Sequence, residues 1–70
     1  MGLVSRYTMD TVEATLWQSE TLTPHQILIR LGWGNIRTIR DALRQLREEG
    51  RIVRSGTAQN PLYRRREKAA

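Results

Sequence analysis

The sequence predicts a small α+β domain, mostly α, in which three helices precede a C-terminal β-hairpin. Two features indicate this fold. Apolar residues recur at helical spacing in three successive segments, and after Gly50 the pattern changes to two short β-rich runs separated by turn-forming residues. Because the chain has only 70 residues, it has room for a single domain. We expect residues 1–7 to form a flexible lead-in, residues 8–66 the domain and residues 67–70 a disordered tail.

The first helix is predicted to begin at Thr8 and to end near Ser19. Threonine is a residue type that caps helix N-termini, and Asp10 would lie in the first turn, where the helix dipole favours a negative charge. The apolar stripe of this helix comprises Met9, Val12 and Leu16, with Trp17 as a further candidate.

The second helix carries clear start and stop signals. Thr23 and Gln26 form a T-x-x-Q capping box, and Pro24 occupies the first helical position, where proline is favoured. Gly32 is expected to follow the last helical turn in the left-handed conformation. The buried face is predicted to comprise Ile27, Leu28 and Leu31.

The third helix is predicted to start with Asn35 as its N-cap and to end before Gly50. In the turn that precedes it, Trp33 is expected to pack back on Leu28. The apolar positions of the third helix follow a helical period and comprise Ile36, Ile39, Ala42, Leu43 and Leu46.

A second stripe on the third helix consists of arginines. Their spacing of 3-4-3-4 residues confines them to about 80° of the helix surface. The members of this stripe are Arg37, Arg40, Arg44, Arg47 and Arg51. Because the apolar face is centred well away from them, packing that face inward turns the arginines toward solvent. The alternative is a solvated helix supported by the i,i+4 pairs Arg37–Asp41 and Arg44–Glu48.

The remaining segment is predicted to form a β-hairpin. Residues 51–54 and 62–64 are short β-rich runs, and residues 55–61 (SGTAQNP) form a turn-rich loop between them. Because an isolated hairpin is only marginally stable, this one must pack on the helices.

One segment carries a family resemblance. Residues 38–54, TIRDALRQLREEGRIVR, with Leu31-Gly32 before them, are similar to the stretch TV-x-x-AL-x-x-L-x-x-x-G-x-V-x-R of bacterial winged-helix transcriptional regulators, GntR-type and MarR-type among them. The resemblance covers residues 8–66 and implies a winged helix-turn-helix fold, with the hairpin as its wing. Because no ligand-binding or dimerisation domain is present, the chain is most similar to minimal single-domain regulators of fimbrial operons, plasmids and phages.

The resemblance implies sequence-specific binding of double-stranded DNA and transcriptional regulation, with the third helix in the major groove and the basic wing on the backbone or in the minor groove. Since a recognition helix reads bases mainly from its N-terminal half, we expect base contacts from Asn35, Arg37, Thr38, Arg40, Asp41 and Arg44. Contacts to phosphate, or from the wing, are expected from Thr23, Arg47, Arg51, Arg54, Thr57, Gln59, Asn60, Arg64, Arg65 and Arg66. The alternative for the wing is a solvated hairpin that does not contact DNA. His25 could contact phosphate, and the alternative is that it is an ordinary exposed histidine.

Composition points the same way. The net charge is +5, and eleven of the twelve cationic residues are arginine, which binds phosphate and guanine bidentately. Genome composition is the alternative source of this richness in arginine. With no cysteine and one histidine, the chain offers no thiol nucleophile, no thiolate zinc site and no nucleophile–base pair, so we expect neither an enzyme nor a cofactor or metal.

Double-stranded DNA is therefore the expected partner. On the DNA, the chain is expected to bind as a homodimer or together with a partner protein, and no small-molecule substrate is expected. No apolar run is long enough to span a membrane, and the N-terminus lacks the apolar region of a signal peptide, so we expect a cytoplasmic, nucleoid-associated protein.

Two other functions fit the same fold. A winged-helix adaptor would bind protein and not DNA, and would show an exposed apolar surface on the third helix. A domain that binds Z-form nucleic acid would end its wing with a proline and an aromatic residue, as in Pro61-Leu62-Tyr63. Such domains carry an asparagine and a tyrosine on the recognition helix, where this chain has Arg40 and Arg44.

Overall fold

A computed structural model describes residues 4–66, which form three helices followed by an antiparallel hairpin. This mostly helical layout confirms the predicted α+β fold class and is consistent with a winged helix. The predicted tail and the first three residues of the predicted lead-in lie outside the described residues. The elements are α1 (Arg6–Thr15), α2 (Pro24–Leu31), α3 (Ile36–Glu48), β1 (Ile52–Gly56) and β2 (Pro61–Arg65).

Helix α1 begins earlier than predicted. The N-cap is Ser5, whose hydroxyl oxygen accepts a hydrogen bond from the Thr8 backbone N–H at 3.2 Å. The Thr8 hydroxyl lies 2.8 Å from the same oxygen. The prediction that Thr8 caps the helix is therefore wrong, and Arg6 and Tyr7 are helical. A serine three residues upstream meets the same capping requirement first.

Helix α1 also ends earlier than predicted, at Thr15 and not near Ser19. Leu16 leaves the helix with extended backbone angles (φ −92°, ψ 143°), while its N–H still donates to the Glu13 carbonyl at 3.0 Å. The Leu16 side chain is fully buried. The core contact of Leu16 is therefore kept although the residue has left the helix.

Helix α2 has the predicted capping box and stop signal. The Thr23 hydroxyl accepts from the Gln26 backbone N–H at 3.2 Å, and the Gln26 side-chain oxygen accepts from the Thr23 N–H at 2.9 Å. Gly32 ends the helix with φ +80°, and its N–H donates to the Leu28 carbonyl at 3.0 Å. The positive φ explains why glycine stands at this position.

Trp33 has an aromatic partner that the sequence did not suggest. Its ring stacks on Tyr7, with a centroid distance of 6.1 Å and an interplanar angle of 18°. Leu28, its predicted partner, is partly buried against the core. The partner of Trp33 comes from another helix, because the early start of α1 places Tyr7 in its first turn beside the α2–α3 turn.

Helix α3 is capped as predicted. The Asn35 side-chain oxygen accepts from the Thr38 backbone N–H at 2.9 Å, and the helix runs to Glu48 before Gly50 turns the chain with φ +74°. The buried face of α3 comprises Ile39, Ala42, Leu43 and Leu46. These residues make α3 the central element of the core, against which the other two helices and β1 pack.

One hydrophobic core joins all five elements. Its buried residues are Met9, Val12, Leu16, Leu22, Ile27, Ile39, Ala42, Leu43, Leu46, Ile52 and Tyr63. The face predicted for α2 is buried at Ile27 and only partly buried at Leu28 and Leu31.

The hairpin is longer than predicted. Its strands pair from Ile52↔Arg65 to Gly56↔Pro61, so the loop comprises residues 57–60 and not 55–61. Gly56 has φ +80°, and a Cβ there would collide with the Asn60 carbonyl oxygen, so this tight closure requires glycine.

A β-bridge from the segment between α1 and α2 helps to tie the hairpin to the helices. Leu22 and Tyr63 exchange two backbone hydrogen bonds of 2.8 Å. Both side chains are buried in the core. This bridge supplies the support that a two-stranded hairpin needs.

Candidate nucleic-acid interface

Helix α3 presents four arginines to solvent. They point away from the core, as the spacing predicted, and all four side chains are exposed: Arg37, Arg40, Arg44 and Arg47. Within residues 4–66, none of the four has a carboxylate within 4.0 Å, since every ion pair formed there uses another arginine. We call these four residues the arginine row.

The predicted i,i+4 pairs on α3 do not form. Neither Arg37–Asp41 nor Arg44–Glu48 reaches 4.0 Å among the ion pairs of the described residues. The alternative interpretation, a solvated helix supported by these ion pairs, is therefore not supported. The guanidinium donors of the row remain available to a ligand.

The other predicted base-reading residues lie beside the row. Asp41 and Thr38 are half-buried, and the Thr38 hydroxyl donates to the Asn35 side-chain oxygen at 3.2 Å. Because that oxygen already accepts from the Thr38 backbone, Asn35 serves first as a cap and keeps only its amide N–H groups for a ligand. The arginines therefore supply most of the free donors on this face.

Concave surfaces connect the arginine row to α2 and to the wing. Arg40, together with Thr23 and His25 at the start of α2, lines a cleft of about 320 Å³ whose other wall includes Gln59 and Asn60. A neighbouring cleft of about 390 Å³ adds the next two arginines of the row. The two clefts thus bring Thr23 at the start of α2, three arginines of the row and the wing-tip residues Gln59 and Asn60 to one surface.

Wing residues fall into two groups. Gln59 and Asn60 are exposed at the tip, where the Thr57 hydroxyl accepts from the Asn60 N–H at 3.0 Å and so closes the turn. Arg54 and Arg66 are also exposed, and both line a groove of about 510 Å³ beside β1 that Arg47 enters from α3. Arg64 is half-buried.

Arg51 does not belong to the arginine row. Its guanidinium lies 3.6 Å from the Asp10 carboxylate, 3.4 Å from that of Glu13 and 4.0 Å from that of Glu49. Since α3 ends at Glu48, the helical spacing no longer determines where Arg51 points. The expectation that it extends the outward stripe is wrong, and it instead ties α1 to the end of α3.

The same acidic cluster holds Arg6. Its Nη1 donates to both carboxylate oxygens of Glu49 at 3.2 Å, and its Nε lies 3.6 Å from Asp10. The hydrogen bond to Glu49 and the charge of that carboxylate raise the pKa of Arg6 above its ordinary value. Together, Arg6 and Arg51 pair with the three carboxylates of this cluster, Asp10, Glu13 and Glu49.

Arg65 has a structural position that the sequence did not suggest. Its Nη2 donates to the Glu13 carbonyl in the last turn of α1 at 2.8 Å, and its backbone N–H donates to the Trp17 carbonyl at 3.0 Å. Its Nε is buried and has no hydrogen-bond partner among the described residues. Because the guanidinium serves as a C-terminal cap for α1, the expected phosphate contact from Arg65 does not fit this geometry.

Comparisons of the chain with protein families, curated proteins and solved structures find no match. Its function is therefore inferred from its own residues. No helix within residues 4–66 is long and apolar enough to cross a membrane.

Replacing Arg65 with alanine should lower the free energy of unfolding by about 1.5–3 kcal/mol, the contribution of a hydrogen bond to a charged group. The exposed neighbour Arg66 is the matched control, and Arg66→Ala should change stability by less than about 0.5 kcal/mol. Urea denaturation followed by circular dichroism measures both. Equal stability of the two variants would contradict the capping role.

Proposed function

We propose that this chain binds double-stranded DNA sequence-specifically as a transcriptional regulator, with α3 in the major groove and the wing on the backbone or in the minor groove. The observation that carries the proposal is the arginine row, four exposed guanidinium groups on one helix face with no carboxylate partner within residues 4–66. Arginine binds the O6 and N7 atoms of guanine bidentately, which is the commonest specific base contact in the major groove.

The distribution of charge supports this orientation. Asp10, Glu13 and Glu49 are all paired with Arg6 or Arg51 on the side formed by α1 and the end of α3. Their neutralisation leaves the net positive charge of the chain concentrated on α3 and the wing. A surface of one sign attracts a polyanion and raises the rate of encounter.

Within the proposed interface, the N-terminal part of α3 reads bases and the surrounding residues contact the backbone. Base contacts are assigned to Arg37, Arg40 and Arg44, with Asn35, Thr38 and Asp41 beside them. Contacts to phosphate or the minor groove are assigned to Thr23, Arg47, Arg54, Thr57, Gln59, Asn60, Arg64 and Arg66. Arg51 and Arg65 are excluded because their guanidinium groups are engaged within the fold.

The salt dependence of binding tests the proposal. Fluorescence anisotropy with a labelled duplex should show affinity falling with salt concentration, by about 0.9 logarithmic units per unit of log salt for each phosphate neutralised. Arg47→Ala should reduce that slope by about one unit and weaken all duplexes alike. Gln18→Glu lowers the net charge by the same amount at an exposed position outside α2, α3 and the wing, and should leave the slope unchanged. Binding without salt dependence, or equal effects of the two variants, would contradict the proposal.

The alternative function, a winged-helix adaptor that binds protein, is less well supported for the face of α3 that carries the arginine row. The large exposed apolar side chains of residues 4–66 lie on α1, on α2 and in the segments that follow them: Tyr7, Trp17, Ile29 and Trp33. None of these is on α3. A protein partner would therefore find its apolar contacts elsewhere on the molecule, and the arginine face remains suited to nucleic acid.

A further inference from the structure

The two outer edges of the hairpin differ in how their backbone groups are paired. In an antiparallel ladder, every second residue of a strand bonds to the partner strand, and the residues between turn their N–H and C=O groups to the other side. The Arg66 N–H donates to the Arg51 carbonyl at 3.1 Å, and the ladder continues from this pair in register. The alternate residues of β1, namely Ile52, Arg54 and Gly56, therefore turn their backbone groups away from β2.

The outer edge of β2 shows the same alternation and is paired. Tyr63 exchanges two backbone hydrogen bonds of 2.8 Å with Leu22, and the Arg65 N–H donates to the Trp17 carbonyl at 3.0 Å. On β1, by contrast, none of the three outward residues has a backbone hydrogen-bond partner beyond the ladder within residues 4–66. We call these three residues the open edge. An unpaired strand edge is a template onto which another strand can pair.

The groove along the open edge carries positive charge only. It has a volume of about 510 Å³, and its charged lining residues are Arg47, Arg54 and Arg66. All three side chains are exposed, and none forms an ion pair within residues 4–66. Arg54 lies opposite the buried Tyr63 in the ladder, so it shares the face of the hairpin that packs on the helices, and Arg47 reaches the groove from α3.

We propose that the open edge binds an extended acidic segment of a partner protein, which adds to the hairpin as a strand beside β1. The backbone of such a segment donates to and accepts from the outward groups of β1, which is the usual basis of strand addition. Successive side chains of a strand point to opposite faces, so carboxylates at every second position would all meet the face of Arg47 and Arg54. The partner is thus expected to carry acidic residues in alternation.

Backbone chemistry and charge favour this occupant over two others that could cover the edge. A DNA phosphate has only acceptor oxygens, so it would satisfy the outward N–H groups and leave the outward carbonyls unpaired. A second copy of the chain paired through β1 would bring two basic grooves together, and like charges that face one another across strands are destabilising. An acidic strand satisfies the donors, the acceptors and the charges at once.

A consequence for DNA binding follows, and it rests on the proposed function. Arg47, Arg54 and Arg66 are assigned there to phosphate or the minor groove, so an acidic strand on the open edge and DNA would compete for the same guanidinium groups. The partner would then act as an antagonist that releases the chain from DNA. Binding of the strand itself does not require DNA and is tested without it.

Isothermal titration calorimetry with synthetic peptides tests the open edge. The probe is an eight-residue peptide of alternating glutamate and threonine with blocked ends, and the control peptide has lysine in place of glutamate. The glutamate peptide should bind one to one, and the lysine peptide should bind at least about tenfold more weakly, because the arginines of the groove repel it. Equal binding of the two peptides, or no binding of either, would overturn the proposal.

N-methylated peptides separate strand addition from attraction between charges. Methylation removes a backbone donor and leaves every carboxylate in place, and only every second N–H of an added strand points to β1. Methylation of one alternating set of residues should therefore weaken binding at least about tenfold, while methylation of the other set should change it by less than about threefold. Equal effects of the two sets would mean that the peptide binds through charge alone, which would also overturn the proposal.

Two substitutions at one position give the matching test on the chain. Arg54→Ala removes the charge and keeps the outward N–H, and should weaken binding of the glutamate peptide by about two- to fivefold. Arg54→Pro also removes the N–H, which the ladder does not use, and should weaken binding by at least about a further threefold. Circular dichroism verifies that both variants fold, and equal affinities of the two folded variants would contradict strand addition. The N-methylated peptides make the same distinction on the unchanged chain.

Displacement of a labelled duplex tests the antagonism. The glutamate peptide should displace the duplex from the chain, and the lysine peptide should not. If the glutamate peptide binds and no duplex does, the proposed function fails and strand addition to the open edge stands. If both bind and the duplex is not displaced, the added strand does not block DNA, and the consequence for DNA binding is wrong.

Discussion

Replacing Arg40 and Arg44 together with alanine should lower the affinity of the chain for its preferred duplex by a factor on the order of a thousand. Each bidentate arginine–guanine contact contributes about 1–3 kcal/mol, and about 1.4 kcal/mol corresponds to a tenfold change in affinity. Both side chains are exposed and line the same cleft, so their loss should leave the fold intact. The decrease should be larger on the preferred duplex than on an unrelated one, because base contacts are lost.

The control for this double variant carries the same change in net charge outside the proposed interface. Ala14→Glu combined with Gln18→Glu lowers the charge by two, as the arginine double variant does, and both positions are exposed and lie outside α2, α3 and the wing. Anisotropy titrations of both proteins with the preferred and the unrelated duplex separate base recognition from overall charge. If the two double variants lose affinity equally, α3 does not read bases.

Local hydrogen bonding explains which helix ends could be predicted from the sequence. The capping box of Thr23 and Gln26 and the cap at Asn35 each join groups three residues apart. The sequence contains all the atoms of such an interaction, so the prediction needs no knowledge of the rest of the fold.

The limits of α1 depend on residues far along the chain and could not be predicted in this way. The carbonyl of Glu13 in its last turn accepts a hydrogen bond from Arg65, 52 residues away, and the chain leaves the helix at Leu16, which is buried in the core. Tyr7 likewise becomes a partner of Trp33 only when α1 and the α2–α3 turn meet. Tertiary contacts determine these features, and spacing alone does not reveal them.

The arginine row was predictable because the apolar period of α3 fixes the direction of every other side chain on the helix. Arg37, Arg40, Arg44 and Arg47 follow from that period, and all are exposed. Arg51 follows the same spacing but lies beyond the last helical residue, where the period no longer applies. Asp10 and Glu13 lie three residues apart on α1, and this pair of carboxylates was the feature of the sequence that could have predicted an ion pair with an arginine.

The burial of Ile39 is what holds the arginine row in place. Ile39 lies on the apolar face of α3, between Arg37 and Arg40 in sequence, and has no exposed surface. Replacing a buried isoleucine with alanine typically costs about 2–5 kcal/mol, because contacts are lost and a cavity remains. A domain of this size is stable by roughly 3–10 kcal/mol, so the change removes a large share of its stability.

Ile39→Ala should therefore strongly lower the urea concentration at the midpoint of unfolding, or leave the chain unfolded. Ile29→Ala should change that midpoint little. The second variant removes the same atoms from a side chain that is 78 % exposed, and thus from a position that packing does not stabilise. Both should be followed by circular dichroism at the same protein concentration. Similar midpoints for the two variants would mean that α3 does not pack on the core through Ile39. The packing of α3 would then not explain why the four arginines point toward solvent.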